Sequence, residues 1–451
     1  MSPDVDAPRV QGPPPGRLLP GRATAPLLAI ALTILIFAKG IVPAMSTLDT
    51  DFPNYLTAAR IVADGGPTNR LYDTPWFQEQ MRRYRIGVPS EGKFAPFPPP
   101  TALLLVPLAR FQPLDALRIM TLASLACLSG SILLLAKVLS WRTIDAAILV
   151  LLSGYAILSG LRFGQPYIVA SFCCILGYYA YLKRRPWLAG ISFGVFAPIK
   201  YFAVPLLVYF AVRKQYGVAF GGVLTILAIA LASIALLGWP LHADFLAILG
   251  NHLIGRLDMQ DPFTASFQSF DTLFRRLFLF DASANPVPFL AMPGLQTLGV
   301  VVTKVSILGV AIASLVRLAR RALAGGALAG VAPSVGIIGI LTLLLAPATA
   351  TYHFALLWLP VGLIIDFALR SGARVCAYFM LGAYALIGVF PYRWTAAFEG
   401  RGGLSLVAYP RLWLLLALFI ACIYCVWRVP NPVRVAASPE LAGVAGTGAS
   451  P

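Results

Sequence analysis

The sequence predicts an all-α polytopic membrane protein, and three observations predict it. Of 451 residues, 59% are hydrophobic and only 12% charged, against roughly 25% charged in soluble domains. The apolar residues gather in runs near the length of about 20 that a spanning helix needs. The basic residues fall in twos and threes between those runs, as membrane topology distributes them. The formal net charge of +17 therefore points to orientation in a bilayer. No basic-plus-aromatic nucleic-acid module accompanies it.

Residues 1–24, "MSPDVDAPRVQGPPPGRLLPGRAT", are rich in Pro and Arg and read as a disordered N-terminus. They are too long and broken for a signal-peptide n-region, so the apolar run after them reads as a retained anchor. Residues 25–428 read as one transmembrane domain, and 429–451, rich in Ala, Gly and Pro, as a disordered tail. Candidate spans are 25–45, 114–138, 143–161, 165–182, 216–238, 295–316, 331–347, 352–369, 375–391 and 405–427. A further run, 186–212, carries Pro198 and Lys200 at its middle.

Orientation follows Lys and Arg in short loops. With Arg17 and Arg22 cytoplasmic, the clusters Lys137/Arg142, Lys183–Arg185, Arg317–Arg321, Arg370/Arg374 and Arg428/Arg434 fall inside. This holds only if 186–212 is a broken hairpin of two short helices meeting near Pro198–Lys200. Read as one span, it sends Arg213 and Lys214 outside and inverts every later cluster. The expectation is about 12 passes, both termini cytoplasmic, and two outer loops, 46–112 and 239–293. Of the 18 acidic residues, 13 fall outside, all but Glu399 in those loops and their flanks, so polar chemistry belongs to the outer face.

The first loop reads as structured. "DFPNYLTAARIVADGG" predicts a helix ending at a Gly pair, and "TPWFQEQMRRYRIG" a second with Pro75 in its first turn. The apolar part of "FAPFPPPTALLLVPLARF", about 101–109, is too short to cross and reads as re-entrant or interfacial. No internal repeat of the transporter kind is visible.

Five places on this face could carry chemistry. Asp51, with Asp49 as rival, stands where the first apolar run ends. It could cap the loop helix or act as a general base. "LRFGQPY" makes a tight turn at Gly164 and Pro166 that would present Arg162 and Gln165. Lys200 at membrane depth costs about 2.5–3.5 kcal/mol on insertion scales, which makes it a functional candidate unless it snorkels. His353, in "APATATYHFALLWLP", begins a late span; a hydrogen-bonded belt residue is its plain reading. "SFQSFDTLFRRLF" is polar and then amphipathic, and Arg275 and Arg276 could hold a lipid phosphate. With three histidines in the chain and no HExxH spacing, no metal site is expected. The six cysteines, "CIYC" included, lie in apolar segments and read as packing residues.

Taken in order, "DFPNYLTAARIVADG", "LYD", "FAPFPPPTALLLVPLA", "GQPYIVASFCCILGYYAYLKRRPWLAGISFGVFAPIKYFAVPLLVYF" and "LLLAPATATYHFALLWLP" resemble the bacterial glycosyltransferase family 87 proteins. These are polyprenol-phosphate-mannose-dependent mannosyltransferases of the GT-C superfamily. The resemblance covers roughly residues 25–427. It implies a GT-C fold and an integral plasma-membrane enzyme. The sugar, mannose in the family, would pass from a polyprenyl-phosphate donor to a lipid or glycan acceptor on the outer face, with inversion and without a metal or other cofactor. Asp51 aligns with the catalytic aspartate. Asp49, Tyr55, Arg162, Gln165, Lys200, Gln268, Arg275, Arg276, Tyr352 and His353 stand as substrate-binding candidates. Three motifs depart from the family: its Gly-Gln-Asn-like turn reads "GQPY", its Asn-Gln-Ser-like loop reads "SFQS", and the His-containing entry lacks the Ser-rich and double-His forms of some members. A multi-span transporter or flippase, and a non-catalytic assembly subunit, remain as alternatives. Charges strung through the membrane would mark a transporter, whereas here they cluster at the outer end.

Overall fold

The computed structural model describes residues 24–49, 51–87, 92–253, 261–325 and 330–428. Apart from Thr24, the two expected disordered tails lie outside them. The described residues are helical, with no strand among them. In chain order the helices are α1 (Thr24–Ser46, with a π-helical stretch at Phe37–Ile41), α2 (Phe52–Ala63), α3 (Thr74–Arg83), α4 (Pro113–Leu139), α5 (Thr143–Leu151), α6 (Tyr155–Arg162), α7 (Tyr167–Leu182) and α8 (Pro186–Gly194). They continue as α9 (Val204–Val212), α10 (Tyr216–Leu237), α11 (Trp239–Leu253), α12 (Phe270–Phe278), α13 (Pro293–Gly325), α14 (Val331–Leu345), α15 (Trp358–Arg370), α16 (Arg374–Val389) and α17 (Pro410–Arg428).

Among the described residues, six helical segments are long and apolar enough to cross a membrane, and a seventh if the bent pair α5–α6 is one span. Four further apolar helices are shorter, so the rest of the expected 12 passes would fall to helices below ordinary spanning length. The run 143–161, read as one span, is in fact broken: α5 and α6 meet at 71°. At the bend Gly154 packs closely on the helix that holds Gly388: a Cβ there would lie 2.9 Å from the Gly388 carbonyl oxygen. Hydropathy cannot register such a contact.

The run 186–212 divides as expected into two short helices, and glycine contacts fix their directions. Gly217 faces Pro186, Gly190 meets the backbone of 218–222, and Gly194 meets Gly222 and Thr225, so α8 runs parallel to α10. Leu207 of α9 reaches back to Gly222, and Gln215 N donates to Phe210 O. The chain therefore turns around between α8 and α9, with Lys200 near the turn. A Cβ on Gly190 would lie 2.3 Å from Val218 O and 2.7 Å from Gly222 N, backbone atoms that cannot swing away. Small residues at this spacing let helices approach closely in lipid. Gly190→Ala is therefore expected to cost about 1–3 kcal/mol, the usual range for overpacking. Gly382→Ala, in α16 with open space around it, should be neutral or better because Ala is the stronger helix former. Thermal unfolding in detergent checks this; a Gly190→Ala midpoint no lower than that of Gly382→Ala would contradict it.

The first loop builds a small core of its own. Phe52, Tyr55, Leu56, Leu71, Phe77, Met81 and Phe94 are buried together with Leu117 of α4 and Leu237 of α10. Fully burying such a side chain contributes about 1.5–3 kcal/mol. Both loop helices have their expected ends: Gly65 adopts φ +67° after α2, and Pro75 falls in the first turn of α3. Asp73 in addition caps α3 by accepting from Trp76 N. Residues 101–109 form only a helical turn and a 3-10 turn. The loop thus sits as a cap on one end of the bundle and holds Asp51 against it.

Candidate functional site

Asp51 occupies the N-cap position of α2, yet its side chain caps nothing. The expected plain role as a cap is not the one observed. Its Oδ2 accepts from Gln165 Nε2 at 2.6 Å, and Gln165 Oε1 accepts from the Tyr55 hydroxyl at 2.9 Å. Asp51 and Tyr55 are four residues apart at the start of α2, hence on one face. Gly164 lets the facing turn close in: it adopts φ +59°, and a Cβ there would lie 2.5 Å from the Phe52 ring. The two halves of the site, 114 residues apart in sequence, meet through this turn.

Burial raises the Asp51 carboxyl above its ordinary value; the Gln165 hydrogen bond and the Lys200 charge act against that rise, and Asp49 adds to it. Burial likewise pushes the Tyr55 phenol well above its usual range, so it remains a donor to Gln165. Asp49 is engaged differently: its Oδ2 is 2.6 Å from Nε of the exposed Arg162. The two carboxylates thus have distinct partners, one a neutral buried amide, the other a solvated guanidinium.

Lys200 stands where the α8–α9 hairpin turns. Its ammonium lies 5.1 Å from the Phe97 ring centroid and 5.2 Å from that of Tyr167. Among the described residues it makes no hydrogen bond or ion pair, so its three N–H donors are unspent. The Tyr167 hydroxyl is 2.6 Å from His353 Nε2, and Ala350 N donates to His353 Nδ1 at 3.1 Å. A ring nitrogen that accepts carries no proton, so the neutral imidazole holds its proton on Nε2 and donates to Tyr167. The phenolic proton of Tyr167 is then free to donate elsewhere. Tyr352 packs on both rings, 5.1 Å from Tyr167 and 4.9 Å from His353 by centroids.

These groups line one open cavity: Lys200, Tyr167, Tyr352 and His353 are joined by Phe97, Phe202, Pro96, Pro98 and Pro347. Asp51 stands beside it, connected through Tyr55, whose ring lies 4.6 Å from that of Phe97. A second, apolar cavity between α9, α14 and the start of α15 shares Phe202 with the first. The arrangement sets an ionisable carboxylate near an aromatic-walled cavity whose donors, an ammonium and a phenol, suit an anion.

Of the sequence-predicted residues, Lys200, Tyr352 and His353 line the cavity; Asp51, Gln165 and Tyr55 form the hydrogen-bonded group beside it; and Asp49 pairs with Arg162, which faces a different cavity. Gln268, Arg275 and Arg276 do not line the cavity. Gln268 is buried and binds Ala265 O, Ala408 O and Arg411 N, which pins the loop to α17. Arg276 is buried against Phe263 O, Ala284 O and Glu399. Arg275 is on α12, its guanidinium near Asp271. Tyr167 and Phe97 are the residues that sequence reasoning missed. The one available signal for Tyr167 was its place directly after the Gly-Gln-Pro turn.

A family model described as glycosyltransferase family 87 matches residues 94–347, which is more than half of the chain. The match includes Phe97, Arg162, Gln165, Tyr167 and Lys200. No curated protein and no solved structure matches the sequence.

Proposed function

We propose that this chain, which belongs to glycosyltransferase family 87 and is accordingly a glycosyltransferase, transfers a sugar from a polyprenyl-phosphate donor to a lipid or glycan acceptor at the membrane surface. Mannose is the sugar the family resemblance favours. In this reading Asp51 takes the proton of an acceptor hydroxyl. The hydroxyl oxygen attacks the anomeric carbon, the bond from that carbon to the phosphate oxygen breaks, and the polyprenyl phosphate departs with the electron pair. Attack opposite to the leaving group inverts the centre. Lys200 and the Tyr167 phenol meet the developing charge on phosphate, where donors already in position stabilise a transition state most effectively. His353 holds Tyr167 as a donor. The apolar cavity that shares Phe202 suits the first isoprene units of the donor.

The observation that carries this reading is the pairing of a half-buried carboxylate, held by a neutral amide, with an unspent ammonium and phenol in an adjoining cavity. The test is transfer by the purified protein with a panel of polyprenyl-phosphate sugars and a membrane-lipid extract, with Asp51→Asn as control. Failure with every donor would overturn it.

The site is assigned to the outer face of the bacterial plasma membrane, with both termini cytoplasmic. The support is the distribution of Lys and Arg, which the α8–α9 hairpin keeps consistent. Single cysteines at Ser283 and Ser90, in a background without the native cysteines, are expected to label in intact cells. Labelling only after permeabilisation would reverse the orientation.

A further inference from the structure

A separate cavity of ≈ 490 Å³, against ≈ 120 Å³ for the one described above, opens between α1, α6, α16 and α17. It shares no lining residue with the first. Among the described residues, four cations line it, Lys39, Arg162, Arg393 and Arg411, and no Asp or Glu does. The rest of the wall is largely apolar, Leu158 and Val389 among it.

The cations differ in what they already hold. Arg162 has Nε on Asp49. Arg411 is buried and donates to Ile387 O, Thr351 Oγ1 and Phe390 O, so it supplies positive potential more than free donors. Lys39 and Arg393 make no hydrogen bond or ion pair among the described residues. Lys39 also lies inside the spanning helix α1, between Phe37–Ala38 and Gly40–Ile41, seven residues before its end. A charge at such a place is costly unless it reaches water or an anion. On the proposed orientation all four cations lie at the outer end, against the usual preference of Lys and Arg for the cytoplasmic side. Topology therefore does not explain them.

We propose that this cavity binds the phosphate group of an anionic membrane phospholipid. Lys39 and Arg393 hold the phosphate oxygens by charge-assisted hydrogen bonds, and the acyl chains follow the apolar face of α1. Because Arg162 is fastened to Asp49, two residues from Asp51, an occupied cavity would steady the segment that carries the proposed base. The cavity is separate from the one lined by Lys200 and His353, and the proposal concerns lipid binding alone, so its failure is distinguishable from failure of the transfer reading.

The test is native mass spectrometry of the full chain in detergent with phosphatidylglycerol, phosphatidylcholine or inorganic phosphate. The wild type is expected to retain phosphatidylglycerol roughly tenfold better than phosphatidylcholine, the size of effect that one charge-assisted contact supplies. Lys39→Gln combined with Arg393→Gln should bring the two lipids to parity without changing the unfolding temperature. Lys39→Gln alone, should the double variant not fold, is expected to reduce the preference several-fold. Equal retention of both lipids by the wild type, or an unchanged preference in the variants, would overturn the proposal. Displacement of phosphatidylglycerol by millimolar inorganic phosphate would identify a site for free anions and overturn its assignment to a lipid.

Discussion

Asp51→Asn is expected to lower sugar transfer by about 100- to 10,000-fold, the contribution typical of a general base, while the protein still folds. Asn keeps the shape, and its carbonyl oxygen can still accept from Gln165 Nε2, which now sits 2.6 Å from Oδ2. It cannot take a proton. Folding should not suffer, and the sign can be worked out. Burial raises the Asp51 carboxyl above its unfolded value. Its favourable contribution is therefore complete only below that unfolded value and is lost as pH rises through the folded one. At neutral pH the ionised group is a cost that Asn removes, so the variant should unfold at the same temperature or higher. Activity has the opposite dependence: only the carboxylate works, so transfer should rise with pH along a limb above the ordinary 3.8. Gln165→Leu removes a hydrogen bond to the charged form and should move that limb higher still. Asp49→Asn loses an ion pair to an exposed arginine, a kind worth about 0–1 kcal/mol, and should cost far less activity. Full transfer by Asp51→Asn, or an equal loss at Asp49, would show that the wrong carboxylate has been named.

The parts of this site that were legible in sequence are those where a residue conflicts with its surroundings. A lysine in the middle of 186–212 is expensive, and the same residue exposes the break in that run, because the basic clusters agree on one side only if the chain turns there. Asp51 stood out because it follows directly on an apolar segment and precedes Pro53. Tyr167 offered no such conflict. It is one of 17 tyrosines in a chain that is 12% aromatic, and its meaning comes from His353 and Lys200, both brought to it by folding. The bend at Gly154 is illegible for a related reason, since the close contact made there is with Gly388, in a helix more than 200 residues away. "SFQSFDTLFRRLF" is ambiguous in another way. Gln268 and Arg276 read as substrate-binding candidates, and in the fold their side chains hold a loop to α17 and to the segments around Phe263 and Ala284. A polar motif that anchors a loop reads the same in sequence as one that binds a ligand.

Lys200→Gln is expected to weaken donor binding by roughly 10- to 100-fold, since hydrogen bonds to charged groups contribute about 1.5–3 kcal/mol and every 1.4 kcal/mol is tenfold. Turnover should fall as well, because phosphate gains charge as the sugar leaves and an ammonium meets that charge more strongly in the transition state. Structural damage should be small. The ammonium makes no hydrogen bond or ion pair among the described residues, and its ring contacts with Phe97 and Tyr167, at 5.1 and 5.2 Å, can be kept in part by the glutamine stem. Tyr167→Phe gives the graded comparison: it keeps the ring and the packing on Tyr352 but loses the phenolic donor, so its effect should be smaller and in the same direction. Asp51→Asn separates the two roles, because a base is needed for attack and not for holding the lipid phosphate. Donor binding measured by titration of a polyprenyl-phosphate sugar should therefore be near normal in Asp51→Asn and weakened in Lys200→Gln, although both lose turnover. If the two variants lose binding equally, Lys200 and Asp51 do not divide the reaction between phosphate and acceptor, and the cavity between the hairpin and α7 is not where the phosphate rests.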